Sequence, residues 1–351
     1  MIKTSLFFSK GNTIKKALKQ ISQTGEKCLI IVDKNNSLLG TLSDGDLRRA
    51  ILRGIDISNT IDDIYQKNPT VLVKGDYKLE EVRKLFLKNK FDLIPIVDKE
   101  GKVIDVIVWD RLFKNGEKKQ RKILEVPLIV MAGGKGSRLE PFTKVLPKPL
   151  VPLNGKPIIE HIINSFINVG INRVILTINY KARIMKAFFE ELNPKYMVEF
   201  VEEQKPLGTA GSLKLLEGKL DIPFFVTNCD IIIKTDYLDL YEFHLKNSFD
   251  ITLVASAKKY IIPYGTCELN GDGHLKRINE KPEYNFLVNT GLYILNPDVL
   301  QLIPKSKFYN ITQLIENAMG QGKQVGVYPV DDDTWIDIGQ WSEYHKAVEG
   351  F

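Results

Sequence analysis

The sequence is poor in the residues that build disulfide frameworks and metal clusters. Its 351 residues include three cysteines, Cys28, Cys229 and Cys267, and four histidines. An odd number of widely spaced cysteines argues against a framework of structural disulfides. Long apolar runs are also lacking: none approaches the roughly 18 residues of a membrane-spanning helix, and polar residues near the N-terminus come too early for a secretory signal. We therefore expect a cytoplasmic protein with no membrane partner.

Composition and charge indicate a globular protein of two domains. Apolar residues make up 44% of the chain and charged residues 26%, which is ordinary for a soluble protein, and the length suits two domains. Residues 1–122 contain 25 Lys and Arg against 16 Asp and Glu, whereas the remainder contains 24 against 27. The densest basic run, at residues 116–122, is predicted to be a linker. Because the basic residues do not alternate with aromatic ones, as in RNA-binding modules, we expect no nucleic-acid partner.

An internal repeat lies in the basic part of the chain. "CLIIVDKNNSLLGTLSDGDLRRAI" (residues 28–51) can be aligned with "DLIPIVDKEGKVIDVIVWDRLFKN" (residues 92–115), so that Asp33 meets Asp98. Each copy reads as an apolar strand, a tight turn, a second strand and the start of a helix, and an amphipathic helix precedes each copy. We therefore expect two copies of one small α+β unit.

The repeated unit resembles the cystathionine-β-synthase (CBS) motif, which packs as a tandem and often binds adenosine nucleotides. "GTLSDGDLRR" (residues 40–49) matches the ligand-binding end of that motif. The resemblance implies that Ser43 meets a phosphate group and that Asp46 meets ribose hydroxyls. In the second copy Val108 and Arg111 stand at these positions, so at most one such site is expected.

The resemblance implies a tandem CBS domain over residues 1–122, with repeats at about 1–60 and 61–118. Two roles stay open for it at this point. The tandem either binds an adenosine or guanosine nucleotide or serves only in packing and assembly. A homo-oligomer is expected.

The second part of the sequence begins with "LIVMAGGKGSRLEPFTKVLPKPLVPL" (residues 128–153). Its first four residues are a short apolar run of the kind that forms a buried parallel strand. Glycines follow, and glycines let backbone N–H groups close around an anion. Spacing excludes two common phosphate loops: no Gly-Lys pair is followed directly by Ser or Thr, and Leu139 stands where a dinucleotide-binding loop needs glycine.

This stretch resembles the signature of the sugar-1-phosphate nucleotidylyltransferases, in which Gly-Gly-x-Gly-Ser/Thr-Arg-Leu is followed by Pro-Lys-Pro. The resemblance implies two catalytic cations, Arg138 and Lys148, that hold the nucleoside triphosphate and the attacking sugar phosphate. Nucleotidyl transfer relies on positioning and on neutralising anions, so cations at these places fit the chemistry. The implied nucleotide-binding loop consists of Gly133, Gly134, Gly136 and Ser137.

Strands are predicted to alternate with helices after this loop. Together they indicate an α/β fold, a Rossmann-like doubly wound nucleotidyltransferase domain over residues 123–351. The predicted strands are residues 173–179, 197–203, 224–230 and 251–256.

Two further groups of residues follow from the resemblance. The metal-binding carboxylates are Asp230 and Asp337, a pair that suits Mg²⁺ as cofactor. Cys229 stands where the family usually carries glycine, which leaves the backbone pose of Asp230 open. The residues that surround the sugar phosphate are Gly265, Glu280, Lys281, Asn289 and Gly291.

The nucleotide base is indicated by "VEEQKPLGTAGSL" (residues 201–213), where Gly208 and Thr209 match the segment that wraps the base and ribose. Glu203 stands where uridylyl and thymidylyl relatives tend to carry Gln. A carboxylate only accepts hydrogen bonds, and guanine offers two adjacent donors whereas uracil and thymine offer one donor between acceptors. This favours GTP over UTP or dTTP. The alternative is that Glu203 points into solvent or pairs with Lys205.

A CBS tandem in front of a guanine-type transferase resembles the architecture of the glucosamine-1-phosphate guanylyltransferases of bacterial legionaminic acid synthesis. This implies the reaction of GTP with glucosamine-1-phosphate to give GDP-glucosamine and pyrophosphate. Mannose-1-phosphate is an alternative acceptor, because the acceptor segments do not identify the group at C2 of the sugar. A non-enzymatic alternative is a CBS-type nucleotide sensor with an inactive transferase domain.

Overall fold

The computed structural model describes residues 4–89, 91–108 and 123–350. The chain divides into two compact units: the first contains residues 1–120, 256–288 and 329–333, and the second contains residues 121–255, 289–328 and 334–351. Arg111 and the basic run at residues 116–122 lie outside the described residues. The predicted boundary between residues 122 and 123 stays a prediction.

The two sequence repeats fold into two matching three-stranded sheets, each with a helix before its second strand. The helices of this part are α1 (Ile14–Thr24), α2 (Asp44–Leu52) and α3 (Leu79–Asn89). The strands are β1 (Phe7–Ser9), β2 (Cys28–Val32), β3 (Leu38–Ser43), β4 (Leu72–Val73), β5 (Leu93–Val97) and β6 (Val103–Val108).

The strand pairing confirms the repeat. In the first sheet β1 runs parallel to β2 and β3 runs antiparallel to it, and β4, β5 and β6 repeat this arrangement. Asp33 and Asp98 make the same turn: the Oδ1 atom of each accepts hydrogen bonds from the backbone N–H groups two and four residues later. The residues aligned in the sequence are therefore equivalent in the fold.

One apolar face of each repeat packs against the other in a shared buried cluster. Alternate residues of β2 and β5 point inward, as period-two patterning requires, and Cys28, Ile30, Leu93 and Val97 belong to the same buried cluster. Helix α1 starts at an N-cap, Thr13, whose side chain accepts a hydrogen bond from the N–H of Lys16.

The described chain after residue 122 contains one seven-stranded sheet, three two-stranded sheets and seven helices. Its helices are α4 (Phe142–Val145), α5 (Ile158–Ile167), α6 (Ala182–Leu192), α7 (Gly208–Gly211), α8 (Tyr237–Lys246), α9 (Ile311–Gly320) and α10 (Trp341–Gly350). Its strands are β7 (Leu128–Met131), β8 (Pro152–Leu153), β9 (Lys156–Pro157), β10 (Arg173–Ile178), β11 (Met197–Glu202), β12 (Phe224–Asn228), β13 (Ile231–Ile233), β14 (Ile251–Ile261), β15 (Thr266–Leu269), β16 (Leu275–Asn279), β17 (Glu283–Leu295), β18 (Val325–Asp331) and β19 (Trp335–Asp337).

Seven strands form the main sheet, in the order β11-β10-β7-β12-β17-β14-β18. Strand β7 is buried along its whole length and runs parallel to both β10 and β12, while β11 runs parallel to β10. The pairing brings the carboxyl ends of these four strands to one edge of the sheet, which is where α/β folds bind their ligands. The residues that directly follow three of them are Ala132, Glu203 and Cys229.

The four predicted strands after the glycine loop are present, with ends shifted by a few residues. The largest difference is at β14, which continues to Ile261. Within the described ranges, no helix combines the length and the apolar character that crossing a membrane requires.

Candidate active site

The glycine loop leaves β7 at the ligand-binding edge of the sheet. Gly136 has a left-handed backbone, with φ of 68°, and a Cβ atom added there would lie 2.9 Å from Cβ of Lys148. The buried hydroxyl of Thr143 donates to the carbonyl oxygen of Gly136 over 2.9 Å. Glycine is therefore required at this position both for conformation and for space. Arg138, in the following turn, is exposed.

Glu203 lies against the glycine loop. Its Oε2 atom accepts a hydrogen bond of 2.9 Å from the backbone N–H of Leu207, and its own carbonyl oxygen accepts one of 2.7 Å from the side chain of Asn179. Its Oε1 atom is 2.6 Å from the point that a Cβ atom on Gly133 would occupy. Only 7% of Glu203 is exposed, and this burial raises the pKa of its carboxyl group.

The alternatives for Glu203 do not match this geometry. The side chain is buried instead of pointing into solvent, and its Oε2 atom is bonded to the N–H of Leu207 and not to Lys205. One carboxylate oxygen is held by Leu207, so the other faces the loop that is predicted to bind nucleotide.

Gly208 and Thr209 are fixed by a neighbouring segment of the chain. Gly208 has φ of 79°, and a Cβ atom added there would lie 2.7 Å from the carbonyl oxygen of Tyr309. Tyr309 also donates its backbone N–H to the carbonyl of Leu207 over 2.8 Å. The hydroxyl of Thr209 accepts a hydrogen bond of 2.9 Å from the N–H of Ile311. Sequence reasoning missed the part played by Tyr309, because it acts through its backbone.

Two carboxylates, Asp230 and Asp337, converge on a glycine. Strands β13 and β19 pair so that Ile231 faces Asp337, and the carbonyl oxygen of Asp230 accepts a hydrogen bond of 2.7 Å from the N–H of Ile338. A Cβ atom on Gly339 would lie 2.7 Å from Oδ2 of Asp230 and 2.8 Å from Oδ1 of Asp337. The backbone thus brings together two predicted metal ligands that are far apart in sequence.

The acid pair has a lysine and a cysteine beside it. Nζ of Lys148 donates to Oδ2 of Asp230, and both side chains are buried. Cys229 is buried, and its burial, together with the charge of Asp230, raises the pKa of its thiol to about 12. It is absent from the residues with positive φ among those described, so its side chain is compatible with the backbone that presents Asp230.

These residues fit a hard divalent cation. Oxygen atoms of Asp230 and Asp337 face the same point beside Gly339, and carboxylates are ligands that Mg²⁺ prefers. No cluster of three or more His, Cys, Asp or Glu ligands occurs within the described residues. A cation held by this pair would therefore take further ligands from phosphate oxygens and water, as Mg²⁺ commonly does.

The predicted acceptor residues fall into two groups. Gly265, Glu280 and Lys281 belong to the first compact unit, and Oε2 of Glu280 is 3.0 Å from the position of a Cβ atom on Gly265. Lys281 has a left-handed backbone with φ of 43°.

Asn289 and Gly291 belong to the second compact unit. Oδ1 of Asn289 accepts a hydrogen bond of 3.1 Å from the N–H of Gly291. A Cβ atom on Gly291 would lie 2.4 Å from Nδ2 of Asn228. Asn228, which ends β12, was not singled out from the sequence.

Ser43 and Asp46 cap helix α2. Oγ of Ser43 accepts a hydrogen bond of 3.1 Å from the N–H of Asp46, and Oδ2 of Asp46 accepts from both the N–H and the hydroxyl of Ser43. Arg49 forms an ion pair with Asp46. The two predicted CBS ligand residues are thus neighbours at one helix start, where they also stabilise the helix.

Comparison with known proteins gives two family matches. The nucleotidyl transferase family matches residues 128–350, and the CBS domain family matches residues 1–53 and 61–116. Both matches confirm the families and the fold class that the sequence motifs indicated.

Curated relatives are similar to this chain over the transferase region. A mannose-1-phosphate guanyltransferase of Yarrowia lipolytica is 36% identical over 227 residues, which cover 62% of this chain and 61% of that protein. The enzyme of the same name from Saccharomyces cerevisiae is 34% identical over 226 residues, with coverage of 62% of both chains. The chain thus spans about three fifths of the length of these relatives.

Solved structures share the fold. HddC from Yersinia pseudotuberculosis, in complex with GMP-PN, is 26% identical with a TM-score of 0.51, covering 64% of this chain and 98% of that one. A structure described as a putative glucose-1-phosphate thymidylyltransferase from Bacillus anthracis has 20% identity and a TM-score of 0.50, covering 64% of this chain and 94% of that one. The second likeness concerns the fold alone.

Proposed function

Since this chain belongs to the nucleotidyl transferase family and carries CBS domains, we propose that it is a sugar-1-phosphate guanylyltransferase. The proposed reaction joins GTP and glucosamine-1-phosphate to give GDP-glucosamine and pyrophosphate. The observation that carries the choice of nucleotide is the buried carboxylate of Glu203, held against Gly133 of the glycine loop.

A buried carboxylate discriminates between bases through its lack of a donor. Guanine presents N1–H and its N2 amino group side by side, and Glu203 accepts from both in the proposed complex. Uracil and thymine would place a carbonyl oxygen against the same carboxylate, leaving its buried Oε1 atom without a hydrogen-bond donor. The relatives named as guanyltransferases support the same base.

Two acceptors are in question. The CBS tandem in front of the transferase supports glucosamine-1-phosphate and a place in legionaminic acid synthesis, because this domain order resembles the enzymes of that pathway. The names of the curated relatives favour mannose-1-phosphate as the second candidate. Those relatives match over 62% of this chain.

The proposed mechanism is a direct displacement. A phosphate oxygen of the sugar-1-phosphate attacks the α-phosphorus of GTP, and the bond from that phosphorus to the bridging oxygen breaks, releasing pyrophosphate. Arg138 neutralises charge on the leaving group, while Lys148 and Lys281 position the sugar phosphate. Mg²⁺, held by Asp230 and Asp337, would neutralise charge on the reacting phosphates. The displacement needs no protein nucleophile.

The remaining residues bind and orient the substrates in this proposal. Gly265 lends a backbone N–H and Glu280 accepts sugar hydroxyls, and Asn289 and Gly291 are assigned to sugar binding. The loop glycines and Ser137 bind phosphates through the backbone, and Gly208 and Thr209 line the base and ribose.

The CBS tandem is proposed to bind one adenosine or guanosine nucleotide through Ser43 and Asp46. A ligand there has to compete with the hydrogen bonds that join these side chains in the capping box. Titration calorimetry with AMP, ATP, GMP and GTP, repeated on Asp46→Asn, tests the assignment. Absence of nucleotide binding, with a dimer or larger oligomer in light scattering, would favour the assembly role.

The reaction is tested by measuring pyrophosphate release with Mg²⁺ over a grid of substrates. GTP, UTP, dTTP, CTP and ATP are each paired with the 1-phosphates of glucosamine, N-acetylglucosamine, mannose and glucose. Turnover confined to the GTP row supports the proposal and identifies the sugar. Turnover with another nucleotide supports the enzymatic function but rejects the guanine assignment. No pyrophosphate release with any pair favours the nucleotide sensor.

A further inference from the structure

Lys148 occupies an unusual position between the glycine loop and the acid pair. Its Cβ and Cδ atoms lie 2.9 and 3.2 Å from the point that a Cβ atom on Gly136 would take. Its ammonium group, at the other end of the side chain, donates to Oδ2 of Asp230. The side chain therefore extends from the predicted phosphate loop to the predicted metal ligands.

The ammonium group also lies close to the second carboxylate. A Cβ atom on Gly339 would lie 2.7 Å from Oδ2 of Asp230 and 2.8 Å from Oδ1 of Asp337. The same position is 3.5 Å from Nζ of Lys148. Within the described residues, Lys148 is the partner of Asp230 in an ion pair, and none is found for Asp337. Lys148 thus supplies the positive charge that two facing carboxylates need.

Burial makes this charge balance important. Lys148 and Asp230 are each 8% exposed, and an unpaired charge at such a depth is strongly destabilising. The ammonium group of Lys148 balances the negative charge of the acid pair. When a divalent cation binds the same carboxylates, the ammonium group next to them becomes a like charge and is repelled.

We propose that Lys148 acts as an internal stand-in for the metal ion, so that a divalent cation binds Asp230 and Asp337 only when the ammonium group leaves them. This rests on the metal assignment of the proposed function. The destination of the ammonium group is a substrate phosphate beside the glycine loop. The stem of Lys148 packs against Gly136 of that loop. Lysine suits this task because its charge is compact and its stem flexible.

The backbone around Lys148 allows the side chain to move alone. Pro147 and Pro149 flank it, and the turn Lys148–Leu150 is buried. Rotation about the side-chain bonds transfers the ammonium group without a change of the main chain. Substrate phosphate and metal ion then strengthen each other's binding, because phosphate draws away the group that competes with the metal.

The test measures metal affinity directly, with no nucleotide or sugar phosphate present. The full chain is titrated with Mn²⁺, and free Mn²⁺ is followed by electron paramagnetic resonance. Lys148→Met removes the competing charge and is expected to bind Mn²⁺ about tenfold or more tightly than the wild type. Lys144→Met, at an exposed lysine in helix α4, is the matched control and is expected to leave the affinity unchanged.

Asp337→Asn defines the site in the same titration and is expected to lose the binding. If Lys148→Met and the wild type bind equally while Asp337→Asn does not bind, the stand-in role is rejected and the metal assignment stands. If Mn²⁺ binds none of them, or binds Asp337→Asn as well, the metal assignment is rejected and the stand-in role with it. Lys148→Gln, which keeps polarity, replaces Lys148→Met if circular dichroism shows that the latter has lost its fold.

Discussion

The carboxylate of Glu203 lies directly against the backbone of Gly133. Its Oε1 atom is 2.6 Å from the position of a Cβ atom on that glycine, a separation that real side chains do not tolerate. Glu203, which we propose to select the base, therefore contacts the glycine loop, which we propose to bind phosphate. A larger side chain at Gly133 would displace the carboxylate.

Gly133→Ala is expected to impair catalysis by displacing Glu203. The new methyl group and the carboxylate cannot occupy their places together, so the base site changes shape. We expect the KM for GTP to rise by about tenfold or more, which corresponds to about 1.4 kcal/mol. Steady-state kinetics measures this. Gly320→Ala introduces the same methyl group into open space, so an equal effect in both variants would contradict the contact argument.

Glu203→Gln is expected to weaken the preference for GTP. An amide offers a donor as well as an acceptor, so the ratio of kcat/KM for GTP to that for UTP should fall by about 10- to 100-fold. The ratio is measured with both nucleotides and one sugar phosphate. Glu202→Gln, at an exposed neighbour paired with Lys186, is the matched control, and an unchanged ratio in Glu203→Gln would remove Glu203 from base recognition.

The same carboxylate predicts a pH dependence. Burial raises the pKa of Glu203, and only the ionised form accepts both guanine donors. The affinity for GTP should therefore be full above the raised pKa and fall as the pH drops through it. The KM for GTP, measured from neutral to acidic pH, should rise in the wild type and stay flatter in Glu203→Gln. Parallel curves for the two proteins would argue against this origin.

Asp230→Asn and Asp337→Asn are both expected to lose turnover, because each removes a proposed metal ligand. Their free energies of unfolding are expected to differ. Each removes a ligand of the metal site, so kcat should fall at least about a hundredfold. Asp230→Asn also leaves the buried ammonium group of Lys148 without its carboxylate, which should cost about 3–5 kcal/mol of unfolding free energy. Asp337→Asn should cost far less.

Pyrophosphate release and urea unfolding separate these effects. Asp221→Asn, at an exposed aspartate, provides the baseline for both measurements. Retained turnover in both active-site variants would rule out the metal assignment. Equal free energies of unfolding for the two variants would contradict the claim that the Lys148–Asp230 ion pair stabilises the fold.

Arg48 should be important for the stability of the first compact unit. Its Nε atom donates to Oδ2 of Asp44 over 2.6 Å and its Nη1 atom to the carbonyl oxygen of Pro329 over 2.7 Å. Arg48→Met removes the guanidinium group that pairs with the buried carboxylate of Asp44, and we expect a loss of about 3–5 kcal/mol in urea unfolding. Arg49→Met, at an exposed arginine paired with half-buried Asp46, should cost less than about 1 kcal/mol. Equal losses would contradict the burial argument.

His244 should make the protein sensitive to acid. Its ring contacts Thr252 and Asn296 over 2.8 and 3.0 Å, and burial lowers its pKa below the ordinary value of 6.5. The unfolded chain therefore binds a proton first as the pH falls. The stabilising effect is complete above pH 6.5 and is lost as the pH falls from there towards the lowered pKa.

Thermal unfolding between neutral and acidic pH checks this sign. The wild type should lose stability below pH 6.5 more steeply than His244→Asn. His274→Asn, at an exposed histidine, should follow the wild type. A His244→Asn curve that falls as steeply as the wild type would assign the acid sensitivity to other groups.

Much of the fold could be predicted because its evidence is local. An apolar run bounded by glycine marks a buried strand, and β7 occupies the predicted residues. The repeat was visible because two copies of one unit obey the same turn chemistry, as Asp33 and Asp98 do. Strand ends were less certain, as the extension of β14 shows, because pairing with neighbouring strands decides where a strand stops.

Contacts of the candidate site were harder to predict. Thr143, Asn228 and Gly339 each lie against a predicted site residue. Threonine, asparagine and glycine are common along the sequence, so their presence alone does not indicate a site. Gly339 had the best signal, since it follows Asp337 by two residues. Tyr309 had none, because its contribution comes from its backbone.

The sequence by itself determined the family, the fold class and the order of the motifs, because glycine spacing, apolar periodicity and repeated turns are properties of neighbouring residues. Only the tertiary structure decided that Glu203 is buried against Gly133 and that the ammonium group of Lys148 reaches Asp230, 82 residues further along the chain. Burial and charge pairing depend on which distant segments the sheet brings together, and local spacing carries no record of that choice.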